Sequence, residues 1–210
     1  MDKRFMGIIA AIILIFGGVI ILSNHKNNGS IGQPSNHTTG KNAKSVALIE
    51  YGDYECPACE SYYPVVKQVV AQYQNDISFQ FRNLPLTQIH PNAFAGARAA
   101  EAASLQSKFW EMHDALYDNQ NTWSTSSDPT TFFWQYAQQL GLNVTKFKTD
   151  YASSQVNGTI NADIDAFNKT GAATQTPTFF LDGKRIDTTA TLASFQKVLD
   201  AEIAQKSTAK

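Results

Sequence analysis

The chain has 210 residues, 43% of them hydrophobic and 17% charged, with a formal net charge of -1. That length suits one ordinary globular domain with short extras rather than two large domains. With so little net charge and no long basic or acidic block, composition gives no reason to expect nucleic acid or a polybasic membrane patch as a partner.

Asp2, Lys3 and Arg4 precede an uncharged, apolar stretch of 18 residues, Phe5 to Leu22. As a helix it would extend roughly 27 Å, enough to cross a hydrocarbon core of about 30 Å with flanking residues snorkelling. Lys3 and Arg4 would stay on the cytoplasmic side, so residues 1–22 read as an uncleaved membrane anchor with everything after Leu22 outside. A cleaved signal peptide is the alternative. The stretch is longer than a typical h-region, and Ser23-Asn24 follow it without a small-residue cleavage site. Residues 23–44 are polar and rich in Gly, Asn and Ser, and lack apolar periodicity. They are expected to form a flexible extracytoplasmic tether in which His25 and His37 are solvated.

The folded domain is expected over residues 45–206. Val46-Ala47-Leu48-Ile49 is a continuous apolar run of the kind found in a central strand covered on both faces. Pro57 follows Cys56 directly and suits the first position of a helix, which would place Cys56 at its N-cap. That helix carries Val65, Val66, Val69, Val70 and Tyr73, and Pro64 should kink it. Ile77, Phe79 and Phe81 alternate with polar residues as a second strand.

From about 88 to 170 the pattern is helical. Helices are expected near Ala93–Leu105, Lys108–Asn119 and Pro129–Leu140, the last with Asp128 as cap, and over Val144–Lys169 with a break around Ser153–Gly158. Strand character returns at Thr178–Leu181. Asp182-Gly183 then reads as a hairpin turn into Lys184–Asp187. A last helix is expected at about Thr191–Gln205, with Leu192, Phe195, Val198, Leu199 and Ile203 on one side. The order βαβ, helices, ββα describes a small mixed sheet with a helical block inserted between its halves.

The two cysteines, Cys56 and Cys59, are the only ones in the chain. A disulfide between them would close almost no loop, so a structural staple is a weak explanation and reactivity a better one. At a helix N-terminus, unpaired N–H groups and the helix dipole favour the thiolate, which makes Cys56 the expected nucleophile. Cys59, one turn on, would resolve a mixed disulfide. A zinc site needs two further ligands at metal-binding spacing, and the chain supplies neither a second C-x2-C nor an H-x3–5-H pair. No metal is expected, and His90 and His113 read as capping or half-buried structural residues.

Three separated segments resemble the thioredoxin superfamily, and more closely its DsbA-like branch of secreted disulfide oxidoreductases. They are Ile49-Glu50-Tyr51-Gly52-Asp53-Tyr54-Glu55-Cys56-Pro57-Ala58-Cys59, Pro64 five positions after Cys59, and Thr176-Pro177-Thr178-Phe179-Phe180-Leu181-Asp182-Gly183. His90 to Gln120 also resembles the helical insertion of DsbA-like proteins. The resemblance implies an α/β thioredoxin-like fold with an inserted helical domain, a cis Thr176-Pro177 bond beside the cysteines, and dithiol-disulfide exchange with no cofactor beyond the Cys56–Cys59 disulfide. It further implies that Thr176 and Pro177 contact an extended substrate by β-augmentation, and that Glu50 relays a proton to or from Cys59 once burial raises its pKa.

The direction of exchange is set by the stability of the Cys56 thiolate, and the intervening dipeptide Pro57-Ala58 is its nearest control. Ala58 replaces the histidine of the best-known DsbA pattern and can neither donate nor carry charge. Thr176 also occurs before the cis-proline of thioredoxins and isomerases. An oxidase acting on reduced exported proteins, re-oxidised by a quinone-linked membrane partner, is nevertheless expected over an isomerase, a reductase or a non-enzymatic peptide-binding module.

Overall fold

The computed structural model describes residues 32–208. The expected anchor, residues 1–22, lies outside them, and among the described residues no helix is long and apolar enough to cross a membrane.

A five-stranded mixed sheet organises the domain: β1 (His37–Thr39), β2 (Val46–Gly52), β3 (Ile77–Asn83), β4 (Thr178–Leu181) and β5 (Lys184–Ile186), in the spatial order β1-β3-β2-β4-β5. Only β2 and β3 pair in parallel, Val46 opposite Ile77 through Gly52 opposite Asn83. The crossover between them is helix α1 (Pro57–Tyr73), a right-length connection for parallel neighbours. The Val46–Ile49 run is therefore central, as its unbroken apolarity implies, and the strand carries on to Gly52. Asp182 (φ 47°) and Gly183 (φ 80°) turn β4 into β5, the positive-φ pair that a tight hairpin needs.

One face of the sheet packs Val46, Leu48 and Phe79 against Val66 and Val69 of α1 and Phe195 and Leu199 of α8 (Leu192–Thr208). A smaller cluster, Tyr51, Leu84, Phe167 and Phe180, covers the other face. Between β3 and β4 stands the helical insertion: α2 (Ala93–Ser104), α3 (Phe109–Asp118), α4 (Gln120–Trp123), α5 (Thr130–Gln139), α6 (Val144–Tyr151) and α7 (Ser154–Asn168). Small residues let α2 pack closely. A Cβ on Gly96 would stand 3.0 Å from the Trp123 ring and 3.1 Å from the Tyr54 Cβ. The break expected in the last stretch falls at Ser153, whose hydroxyl caps α7 by accepting the Val156 N–H. Asp128 accepts the Thr130 N–H at the start of α5, one position before the cap residue Pro129.

Two expectations are corrected. The short helix α4 was not foreseen, and the folded unit takes in Ser35 and His37–Thr39 of the expected tether rather than starting at 45. Within the expected tether, β1 pairs with the edge of β3, His37 opposite Phe81. Ser35 is buried and donates from its N–H (2.8 Å) and its hydroxyl (2.7 Å) to Asp163. His37 is not solvated. Its Nε2 lies 2.9 Å from a Glu101 oxygen and its ring stacks on Phe109 with centroids 3.5 Å apart. Polar pairing across the fold, not an apolar pattern, ties this segment down.

Candidate active site

The site grows from the end of β2. Residues Asp53 to Glu55 form a tight turn that delivers Cys56 to the N-cap of α1, in extended conformation (φ −71°, ψ 121°), with Pro57 following in the first turn. Asp53 organises the turn. Its carbonyl accepts the Cys56 N–H at 3.1 Å, and one carboxylate oxygen accepts the Glu55 N–H at 2.8 Å. The other oxygen takes the Leu86 N–H at 2.9 Å and lies 2.7 Å from His90 Nδ1. From the insertion, buried Gln120 donates to the carbonyls of Tyr54 (2.8 Å) and Cys56 (3.0 Å). The motif is thus clamped from two sides.

Both cysteines are free thiols. Cys56 is 7% exposed, Cys59 fully buried, and Pro57 and Ala58 exposed. The Cys56 Sγ donates to the carbonyl of Thr176, 3.5 Å away and 120 positions along the chain. The Thr176–Pro177 bond is cis. The structure therefore brings Glu50, Cys56, Cys59, Thr176 and Pro177 into one region from two separate segments. Beside Pro177 lies a cavity of about 100 Å³, with Tyr62, Gln175 and Arg185 in its lining.

The two thiols are driven in opposite directions. A hydrogen bond from the Cys59 thiol lowers the Cys56 pKa to about 5, assisted by the Thr176 hydroxyl and the N–H groups of Cys59 and Ala58, while burial opposes them. The Thr176 hydroxyl is itself buried without another partner, and so is free to serve the thiolate. Cys59 is pushed far up, first by burial and then by the Cys56 thiolate and Glu50, against one N–H donated by Asp53 at 3.5 Å. Glu50, 3% exposed, rises to about 8 through burial alone. A thiol held as thiolate, a thiol held protonated and an acid poised near neutrality make a set suited to disulfide exchange.

His90 and His113 behave as structural residues: His90 supports Asp53, and buried His113 packs among Tyr54, Tyr63, Phe81 and Tyr117. Sequence reasoning missed Gln120 and the Asp53–His90 pair. The only trace was that Asp53, His90 and Gln120 fall within the segments that carry the family resemblance.

A domain of this order, a mixed sheet with its redox-type cysteine pair at the N-terminus of the crossover helix, defines the thioredoxin class. The family model described as thioredoxin matches residues 33–201, and the chain belongs to that family. Its start at 33 agrees with β1 being part of the domain.

The likeness to solved structures is one of fold. The chain's fold is similar to that of BdbD from Bacillus subtilis (TM-score 0.70, 21% identity, covering 82% of this chain and 97% of that one). It is also similar to that of alpha-DsbA1 from Wolbachia pipientis (TM-score 0.71, 19% identity, 86% and 98%). Among curated proteins, the chain is 36% identical over 149 residues to Na(+)/H(+) antiporter NhaA 3 of Salinispora tropica. That match takes in 71% of this chain but spans only about a fifth, 22%, of the antiporter's length.

Proposed function

We propose that the protein is an extracytoplasmic thiol-disulfide oxidoreductase that forms disulfide bonds in reduced, exported proteins. The observation that carries the reading is the paired environment of the cysteines: Cys56 lowered to about 5 and beside Thr176, Cys59 buried and held protonated. In the oxidised enzyme a substrate thiolate attacks Cys56 Sγ and the Cys56–Cys59 bond breaks, its electron pair going to Cys59. A second substrate thiolate then attacks the substrate sulfur of the mixed disulfide and releases Cys56 as thiolate. Thr176 and Pro177 hold the extended substrate backbone next to Cys56. Glu50 gives Cys59 the proton it needs on leaving and takes one back on re-oxidation.

Direction follows from the leaving group. A thiolate pKa of about 5 lies between about 7 for thioredoxin and about 3.5 for the strongly oxidising DsbA type. Stabilising the reduced form this much favours oxidation of substrates, even with Ala58 in place of a histidine. Phe5–Leu22 would anchor the domain on the outer side of the cell membrane, where a quinone-linked membrane partner would re-oxidise it.

Mixing the oxidised full chain with a reduced, unfolded test protein decides the matter. Disulfides should form in the test protein with the native chain and not with Cys56→Ser, and Cys59→Ala, mixed instead with the disulfide form of the test protein, should be trapped as a mixed disulfide through Cys56, releasing one substrate thiol. Oxidation that persists in Cys56→Ser would end the enzyme reading. A glutathione equilibrium at or below about −270 mV would replace the oxidase by a reductase.

A further inference from the structure

The helix that presents Cys56 also builds a second feature beside the cis-proline. Further along α1, the Tyr62 ring packs near Phe179 with centroids 5.6 Å apart, and its hydroxyl donates to the Thr188 carbonyl at 2.5 Å. That bond fixes the chain leaving β5 against α1. The ladder between β4 and β5 runs only from Leu181 opposite Lys184 to Phe179 opposite Ile186. The cavity of about 100 Å³ lies where it stops, and its lining includes Tyr62, Pro177, Phe179, Arg185, Asp187 and Thr188. Two of these groups have donors to spare. Thr188 Oγ1 is buried and has no hydrogen-bond partner among the described residues. Arg185 meets Asp187 at 3.3 Å, but the Asp187 side chain is 92% exposed, and a pair in that setting contributes little. One such contact uses a fraction of the N–H donors that a guanidinium carries.

A hydroxyl without a partner and a guanidinium with free donors, lining one small space, suit an acceptor that carries negative charge, and a carboxylate is the acceptor whose geometry a guanidinium matches. We propose that this pocket reads an aspartate or glutamate of the reduced substrate, two positions from its reacting cysteine, through Arg185 and Thr188. The inference rests on the disulfide exchange proposed above and names a class of substrate for it: exported proteins with an acidic residue at that spacing.

The spacing follows from strand geometry. Cys56 Sγ lies 3.5 Å from the Thr176 carbonyl, and Pro177, the next residue, lines the pocket. A substrate extended along Thr176 turns every second side chain to the same face, about 7 Å apart, so with its cysteine at Cys56 the residue two positions away is the one that reaches past Pro177. The volume suits one short side chain. Lys184, the neighbouring cation of β5, is no part of this lining, and strand alternation puts it on the face opposite Arg185. Lys184 thus separates recognition in the pocket from attraction by the general charge of the strand.

The test uses short reduced peptides with two cysteines, carrying Asp, Leu or Lys either two positions before the first cysteine or two positions after the second. Each is mixed with the oxidised full chain, and the rate constant is read by stopped flow as the peptide dithiol becomes a disulfide and the Cys56–Cys59 disulfide becomes two thiols. At one of the two positions the Asp peptide should react about fivefold faster than the Leu peptide, and the Lys peptide more slowly than either. Arg185→Gln should bring the three rates together, Arg185→Glu should reverse their order, and Thr188→Val should narrow the gap between Asp and Leu. Lys184→Gln should leave the order intact. Equal rates for the three peptides at both positions would overturn the pocket and leave the exchange reading standing. The pocket also falls if the order survives in Arg185→Glu, or if Lys184→Gln abolishes it as fully as Arg185→Gln. If no peptide reduces the native chain, the exchange reading itself fails and takes the pocket with it.

Discussion

Glu50 and the pair Glu101–Asp163 are buried carboxyls of one domain, treated in opposite ways. Asp163 accepts the N–H and hydroxyl of Ser35 and the N–H (3.0 Å) and side-chain amide (2.9 Å) of Asn83. Glu101 accepts the same amide at 2.7 Å and meets His37. Such donors oppose the loss of water, which still leaves the Asp163 carboxyl raised by burial, and they tie β1, β3, α2 and α7 together. Glu50, under 10 residues from either cysteine, gets none of this. The contrast separates two uses of a buried acid: with donors it is a fastening, without them it is a proton store near neutral pH.

The largest effect that tests this contrast is a stability dependence on pH. Glu50 rises from 4.5 to about 8 on folding. A raised carboxyl pKa means the native state holds its proton more tightly, so stability is full below 4.5 and is lost as pH climbs through about 8. The loss is on the order of 5 kcal/mol at most. Cys56 has the opposite sign: lowered from 9.0 to about 5, it contributes stability that is present above 9.0 and disappears as pH falls through about 5. Urea unfolding of the reduced chain across this range should show Glu50→Gln removing the alkaline loss, leaving stability that rises with pH. An unchanged slope would mean that Glu50 is not a buried, unpaired acid.

Next in size is the fastening. Asp163→Ala leaves the Ser35 and Asn83 donors unpaired in the core and should cost about 3–5 kcal/mol in urea unfolding. Its exchange rate, measured where the protein is still folded, should match the native chain. His37→Ala, which loses a partly exposed contact, should cost less, about 1–2 kcal/mol. A slowed exchange with intact stability in Asp163→Ala would erase the distinction between the two kinds of carboxyl.

How legible these features were in the sequence follows from how local their causes are. Cys56, Pro57 and Cys59 sit within four positions, and their helix-cap placement needs only the proline and the apolar spacing of α1. The hairpin at Asp182-Gly183 and the central strand β2 are likewise written in short runs. Thr176 and Pro177 came from resemblance, since nothing near them in the chain says that they face Cys56. β1, Gln120 and the Asp53–His90 contact were out of reach for a physical reason. Each is held by polar contacts whose partners lie 37 to 128 positions away, and hydrogen bonds of that kind leave no periodicity. The tether assignment failed at the same point: Ser35 and His37 look solvated until Asp163, Glu101 and Phe109 are brought to them.

The most direct test of the account is the pH dependence of alkylation of the reduced full chain by iodoacetamide, with the modified residue mapped by mass spectrometry. The account predicts a single alkyl group on Cys56, added at a rate that rises through a midpoint near 5 and then levels off, while Cys59 stays unmodified. A midpoint near 9.0, or modification of Cys59 ahead of Cys56, would contradict it.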